Sequence, residues 1–163
     1  MPFTIREITP EDKELVAALI QEHWGAAFVV SKRRIHYPHQ IPGFIATDDE
    51  GRLLAVATYL LEGDECELVT LDSLRQGIGI GTRLLESVQQ VAQDAGCRRL
   101  WLITTNDNLN ALGFYQKRGF SLVAIHRNAM EYTRSLKPMI PLIGANGIPL
   151  RDEIELEISL QTA

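Results

Sequence analysis

Residues Leu71–Leu85 read LDSLRQGIGIGTRLL, and three glycines alternate within them at Gly77, Gly79 and Gly81. A β-like run, Cys66–Leu71, leads into the glycines and an amphipathic run, Thr82–Ala95, follows them. A glycine-rich turn that opens a helix presents free backbone N–H groups at the positive end of the helix dipole, where an anion is favoured. Glycine lets the backbone approach that anion with no Cβ in the way. The expected anion is a phosphate or pyrophosphate, carried by a cofactor.

The spacing discriminates among phosphate motifs. A P-loop requires G-x-x-x-x-G-K-[ST], but Thr82 stands five positions after Gly77 and no lysine is near. The dinucleotide fingerprint G-x-G-x-x-G fails as well: its third glycine would fall on Thr82 or Leu84. The spacing present is Q-x-x-G-x-G, from Gln76 to Gly81. It resembles the acyl-CoA pyrophosphate loop of the GNAT superfamily of N-acetyltransferases.

A second segment carries the same resemblance. Asn108–Phe120 reads NLNALGFYQKRGF, with Asn108, Ala111, Tyr115, Gly119 and Phe120 at the places of the other GNAT signature. Its local chemistry fits a helix with its stop signal. Asn108 is a capping residue, Ala111, Leu112 and Tyr115 lie at helical spacing, Gly119 is an αL terminator, and Phe120 opens a strand. The resemblance spans Thr4 to about Arg127 and extends less clearly to the last strand. It departs from the family at Thr70-Leu71-Asp72-Ser73-Leu74, where a Val-x-Pro-like segment is usual.

The 163 residues suit one domain, 1–163, large enough to bury a core. Hydrophobic residues make up 45% and charged residues 23%, as in ordinary globular chains. No apolar run reaches membrane-span length, and MPFTIREITPEDKEL lacks the basic and apolar regions of a secretory signal. Cys66 and Cys97 have no metal or redox spacing, so the expected location is the reducing cytoplasm.

Hydrophobic periodicity orders the elements. Strands are expected at Phe3–Ile8, Gly43–Thr47, Leu53–Leu61, Cys66–Leu71, Arg98–Thr104 and Phe120–His126. Helices are expected from Thr9-Pro10, over Thr82–Ala95 with Leu84, Leu85, Val88, Val91 and Ala92 inward, after Asn108, and over Asn128–Lys137. Trp24–Ile41 reads as irregular. A Pro/Gly connection, Pro138–Pro149, either covers one end of the site or routes the chain. Ile154, Leu156, Ile158 and Leu160 then alternate with Glu153, Glu155, Glu157 and Ser159, which predicts a half-exposed strand. The implied fold class is α/β (α+β): a single GNAT-like domain with a mixed, mostly antiparallel sheet, one parallel pair splayed for CoA, and flanking helices.

Some residues invite other readings. His36 and His39 straddle Pro38 with no cysteine or acidic ligand close by, which argues for a solvated loop and against a metal. Lys32-Arg33-Arg34 is a short basic run, but a net charge of −5 disfavours nucleic acid. Trp24, Phe28, Tyr37 and Phe44 are core aromatics or lining for an acceptor pocket.

The resemblance implies an N-acetyltransferase that uses acetyl-CoA as cosubstrate, needs no metal, and acts on a primary amine of a small molecule or peptide. The alternative is a non-catalytic acyl-CoA sensor or recruitment module. Oligomerisation is compatible with either. Backbone groups of Val69, Thr70 and Leu71 would bind the pantetheine arm. Gln76, Gly77, Ile78, Gly79, Ile80, Gly81 and Thr82 would hold the pyrophosphate, with Arg75 and Arg83 as added charge. Asn108 would touch the pantetheine and Tyr115 would be the general acid. A protonated amine must also lose its proton to a base. Glu65, Glu67 and Asp72 lie on or beside the central strand. Period-two alternation puts Glu65, Glu67, Val69 and Leu71 on one face and Asp72 on the other, unless a bulge intervenes. Glu67, well inside the strand, is the candidate base, with a water chain as the alternative. The acidic balance favours a cationic acceptor.

Overall fold

The computed structural model describes residues 2–74 and 77–160, so Arg75 and Gln76 lie outside the described residues. The elements run β1 (Thr4–Glu7), α1 (Lys13–Trp24), β2 (Val29–Ser31), β3 (Arg34–His36), β4 (Gly43–Thr47), β5 (Leu53–Glu62) and β6 (Glu65–Ser73). They continue with α2 (Ile80–Asp94), β7 (Arg99–Thr105), α3 (Leu109–Lys117), β8 (Ser121–His126), α4 (Ala129–Leu136) and β9 (Glu153–Ser159). Seven strands form one sheet in the order β1-β4-β5-β6-β7-β9-β8, and β2 with β3 forms a separate hairpin. Every pairing in the large sheet is antiparallel except β6 with β7. The expected fold class therefore holds. Among the described residues, no helix is long and apolar enough to cross a membrane.

Each face of the sheet has its own core. On one, α2 buries Ile80, Leu84, Leu85, Val88 and Ala92, spaced so that they line one side of the helix. They pack on Ala55, Ala57, Cys66, Leu68, Leu100 and Leu102, with Tyr115 and Phe120 at the margin. Each large side chain removed from water here contributes roughly 1.5–3 kcal/mol. On the other face, α1 buries Val16, Leu19 and Ile20 against Val29, Ile45 and Val56. The expected start of α1 at Pro10 is a single 3₁₀ turn, Pro10–Asp12, that runs into the helix. Asp12 accepts the Thr9 N–H at 2.7 Å and a fork of two bonds from Arg6 at 2.8 and 2.9 Å, which fixes the entry to the turn.

The site is created by a pairing that stops early. β6 and β7 are bonded only from Glu65–Leu68 to Arg99–Leu102. Beyond Leu68 the two strands part and leave the β7-facing edge of Val69–Ser73 open. On its other edge β6 carries a bulge, because Thr58 pairs with Thr70 and Tyr59 with Leu68, so Val69 is the extra residue. The bulge reverses the face assignment expected beyond it. Leu71 packs with the α2 core, whereas Asp72 reaches His23 and Trp24 of α1, on the side of Glu67.

β9 departs from the half-exposed strand that its alternation predicts. It lies between β7 and β8, and Glu153 and Glu155 are only 2% and 5% exposed. The alternation is intact, but the glutamate face is covered by cations brought in from other elements. Lys32, His126 and Arg99 all reach Glu155, at 3.1, 3.0 and 2.9 Å. Burial alone would raise the Glu155 carboxyl, but these hydrogen bonds outweigh it and hold it down at about 2. The segment read as irregular contains the β2–β3 hairpin. Its two-residue turn, Lys32-Arg33, takes positive φ at both positions, a strained geometry for long side chains. The basic run is thus folded against acidic and aromatic partners: Lys32 on Glu155, Arg34 on Glu62 at 2.7 Å, and Arg33 over Tyr132.

Candidate active site

Two cavities flank the point where β6 and β7 separate. The first, about 570 Å³, is lined by Leu71 and Ser73 of β6, by Gly77, Gly79 and Ile80–Thr82, and by Asn108, Ala111, Phe114, Tyr115 and Arg118. α2 begins here with Gly79 as N-cap at φ +79. That residue has no side chain to cap the first turn, and the first in-helix bond of the turn is Arg83 N–H to Gly79 O at 3.1 Å. The N–H groups of Ile80, Gly81 and Thr82 are thus the orphan donors of a fifteen-residue helix. A Cβ built on Gly77 or Gly79 would meet nothing within 4 Å, because both face the open cavity. Arg118 supplies the local cation. It stacks 3.6 Å over the Phe114 ring and donates to Thr82 Oγ1 at 2.9 Å.

Tyr115 forms the inner wall of this cavity. α3 starts where Asn108 Oδ1 accepts the Ala111 N–H at 3.1 Å, and about two turns later the helix delivers Tyr115 to the interior, 8% exposed. Phe114 and Phe120 hold its ring in edge-on contacts at 5.1 and 5.5 Å. Burial, with the nearby Asp72 charge, raises its phenol pKa, so the hydroxyl stays protonated at neutral pH.

The second cavity, about 400 Å³, lies on the α1 face. Glu67, Val69 and Ser31 line one side, and Asn108 lines it as well as the first, so the cavities meet at this residue. The Pro/Gly connection covers the far end through Met139, Ile140 and Pro141. Asp107 pins that connection: Oδ2 accepts the Ala145 N–H at 2.8 Å, and the Asn146 side chain donates to the Asp107 carbonyl at 3.2 Å. Arg134 ties down its start through the carbonyls of Ile140 and Pro141. Three residues of this segment thus line the cavity, and the remainder leads the chain to β9.

Glu67 is 3% exposed, and burial pushes its carboxyl up to about 7. Ser31 Oγ donates to Oε2 at 2.6 Å. His36 Nε2 lies 3.2 Å from the same Oγ. The serine has one hydrogen, so when it goes to the carboxylate, Nε2 of His36 must carry the hydrogen of the second bond. Burial lowers the His36 pKa, which keeps the ring neutral. The other two carboxylates considered from sequence are engaged elsewhere. Glu65 binds Arg98 and Arg99, and Asp72 accepts from Trp24 Nε1 at 3.1 Å and bonds His23 Nδ1 at 3.3 Å.

The expected residues are largely brought together, with differences. Gly77, Gly79, Ile80, Gly81, Thr82, Leu71, Asn108 and Tyr115 line the first cavity, and Val69 the second. Ile78 packs its side chain on the α2 core, and Thr70 bonds Thr58 across β5 at 2.6 Å. Gln76 and Arg75 fall outside the described residues, and Arg83 stands over the Phe3 ring. His36, expected in a solvated loop, is 5% exposed on β3 because β2 and the Glu67 strand enclose it. Of the four aromatics, Trp24 lines the second cavity, whereas Phe44 stacks on Tyr59 beside the α2 core and Tyr37 is exposed. Sequence reasoning missed Ser31, Glu153, Lys137 and Arg118. Only Arg118 had a local signal, its place next to Gly119-Phe120.

A splayed parallel pair, a glycine-opened helix beside it and a capped helix behind define a class of protein. The chain belongs to the acetyltransferase (GNAT) family, whose sequence profile matches residues 6–120. It is an N-acetyltransferase of this type. YxbD of Bacillus subtilis (strain 168), an uncharacterized protein, is 42% identical over 149 residues, covering 91% of this chain and 94% of the relative. The solved structure of an IAA acetyltransferase from Bacillus cereus ATCC 14579 superposes with a TM-score of 0.74 at 26% identity, over 98% of this chain and 100% of that one. A GNAT family acetyltransferase from Elizabethkingia anophelis, solved with acetyl-CoA bound, has the same fold at a TM-score of 0.68 and 22% identity, over 97% and 98%.

Proposed function

We propose that this protein transfers the acetyl group of acetyl-CoA to a primary amine held in the second cavity. The observation that carries the reading is the meeting of the two cavities at Asn108, with a desolvated carboxylate on one side and a buried phenol on the other. In this reading the N–H groups of Ile80, Gly81 and Thr82 take the pyrophosphate, with Arg118 beside them. The open edge of β6 takes the pantetheine arm. The N–H groups of this edge, freed from β7 beyond Leu68 and from the β5 ladder at Val69, supply donors to the thioester oxygen as charge develops there.

Glu67 accepts the proton of the attacking amine, directly or through one water. The amine nitrogen bonds to the thioester carbon, the carbon–sulfur bond breaks, and the electron pair leaves on sulfur. Tyr115 gives its proton to that thiolate and regains one from solvent afterwards. Glu67, at about 7, is basic enough to take the proton and is largely ionised at mildly alkaline pH. The free, buried Cys66 and Cys97 support a reducing compartment such as the cytoplasm.

The test follows CoA thiol release from acetyl-CoA with a panel of primary amines: amino acids, polyamines, aminoglycosides and peptides with free N-termini. The expected result is amine-dependent release matched by an equal amount of N-acetylated product. Tight acetyl-CoA binding with no release for any amine would overturn the reading.

A further inference from the structure

The second cavity is lined by a lysine that forms no ion pair among the described residues. Lys137, at the C-terminal end of α4, is 2% exposed and lines the cavity. Its ammonium donates to the Trp24 carbonyl at 3.2 Å and lies 4.8 Å from the Phe28 ring. Among the described residues it forms no ion pair, and two of its three hydrogens find no acceptor. One turn earlier on the same helix, Thr133 lines the same cavity, 6% exposed, and its buried hydroxyl has no partner among the described residues. Residues four apart share a helix face, so the unpartnered hydroxyl and the partly satisfied ammonium belong to one wall.

A buried ammonium held only by one carbonyl and aromatic faces, with no anion beside it, is costly, and burial lowers its pKa; a buried hydroxyl without a partner adds to the cost. A ligand that supplied an anionic acceptor to both groups would remove both penalties. The rest of that end is apolar or aromatic: Met139, Ile140, Pro141, Val29 and Trp24. Glu67 and Glu153 stand elsewhere in the lining and suit an amine, not an anion.

We infer that Lys137 and Thr133 form a carboxylate subsite, and that the acceptor is an amine that also carries a carboxylate on a compact apolar body. The inference rests on the N-acetyltransferase reading of this cavity. A single ammonium and a single hydroxyl match a monoanion, and a cavity of about 400 Å³ suits an amino acid or a similar aminocarboxylate. A cationic acceptor, suggested by the net charge of −5, would have to place positive charge near Lys137. Net charge describes the surface; the cavity carries its own sign.

The first arm of the test needs no catalysis. 4-Methylpentanoate and 4-methylpentanamide, alike in shape and different in charge, are titrated into the protein by calorimetry. Wild type is expected to bind the carboxylate at least about tenfold more tightly, a difference of about 1.4 kcal/mol. Lys137→Met should bring the ratio to about one, Lys137→Arg should keep part of it, and Thr133→Val should reduce it. Equal binding of the two probes by wild type, no carboxylate binding, or an unchanged preference in Lys137→Met would each overturn the subsite. If Lys137→Met fails to fold, the wild-type ratio and Thr133→Val decide. The second arm compares thiol release with leucine and leucinamide. Carboxylate binding with no release for any amine of the panel would sustain the subsite and sink the transferase reading, and release confined to amines without a carboxylate would overturn the aminocarboxylate acceptor. Release without carboxylate preference would do the reverse.

Discussion

Replacing Glu67 by glutamine separates a base from a spectator. The amide keeps the shape and an oxygen for the Ser31 hydroxyl, but it cannot take a proton. Burial sets the wild-type carboxyl near 7, against an ordinary value of 4.5. With that value about 1% is ionised at pH 5, half at pH 7 and nearly all at pH 9. The acceptor amine titrates too, but identically for both enzymes, so it cancels in the quotient of wild-type over Glu67→Gln rates. That quotient should rise about 100-fold between pH 5 and pH 9, with its midpoint near 7. At pH 9 the variant should be slower by about 10²–10⁴, the usual worth of a positioned base. The folded pKa lies above the unfolded one, so this group's stabilising contribution is present below about pH 4.5 and lost as pH rises through about 7. Glu67→Gln should therefore melt no lower than wild type at pH 8. The assay is kcat/KM by thiol release at fixed ionic strength. A quotient flat across this range would refute the base assignment and leave water as the proton acceptor.

Tyr115→Phe keeps the ring contacts and removes the donor; kcat should fall by about 10²–10⁴ at saturating substrates, while acetyl-CoA affinity by calorimetry stays within about twofold. A kcat unchanged within that margin would make Tyr115 a packing residue. Gly79→Val sets a branched side chain at φ +79 against the phosphate site, and acetyl-CoA binding should weaken by more than about tenfold. Unchanged affinity in a folded variant would remove the loop from the binding site. Gly144→Ala drives a Cβ into the Asp107 carboxylate that pins the Pro/Gly connection, so it should cost about 1–3 kcal/mol in unfolding measurements. It should also raise the acceptor KM with little change in acetyl-CoA affinity, since the connection covers only the second cavity.

What was legible in the sequence is what short-range chemistry encodes. The Gly77–Gly81 series, the Asn108 cap and the amphipathic stripe of α2 each depend on neighbours within a turn or two, so the cosubstrate side of the site could be read directly. The acceptor side could not. Ser31 meets Glu67 across 36 positions and Lys137 meets Trp24 across 113, and no local pattern announces either contact. β9 shows the same limit from another direction. Its alternation was plain, but whether Glu153 and Glu155 face water depends on Lys32, Arg99 and His126 arriving from three other elements. The Val69 bulge is set by pairing with β5, and it alone decides whether Leu71 or Asp72 shares a face with Glu67.

A crystal structure of this protein with acetyl-CoA would bear on all of this at once. The pyrophosphate oxygens should lie about 2.7–3.2 Å from the N–H groups of Ile80, Gly81 and Thr82. The thioester should sit in the gap between β6 and β7, with its sulfur facing the Tyr115 hydroxyl and its carbonyl carbon open to the Glu67 cavity. Acetyl-CoA bound with its phosphates away from the start of α2, or with its thioester outside that gap, would contradict the assignment of the site.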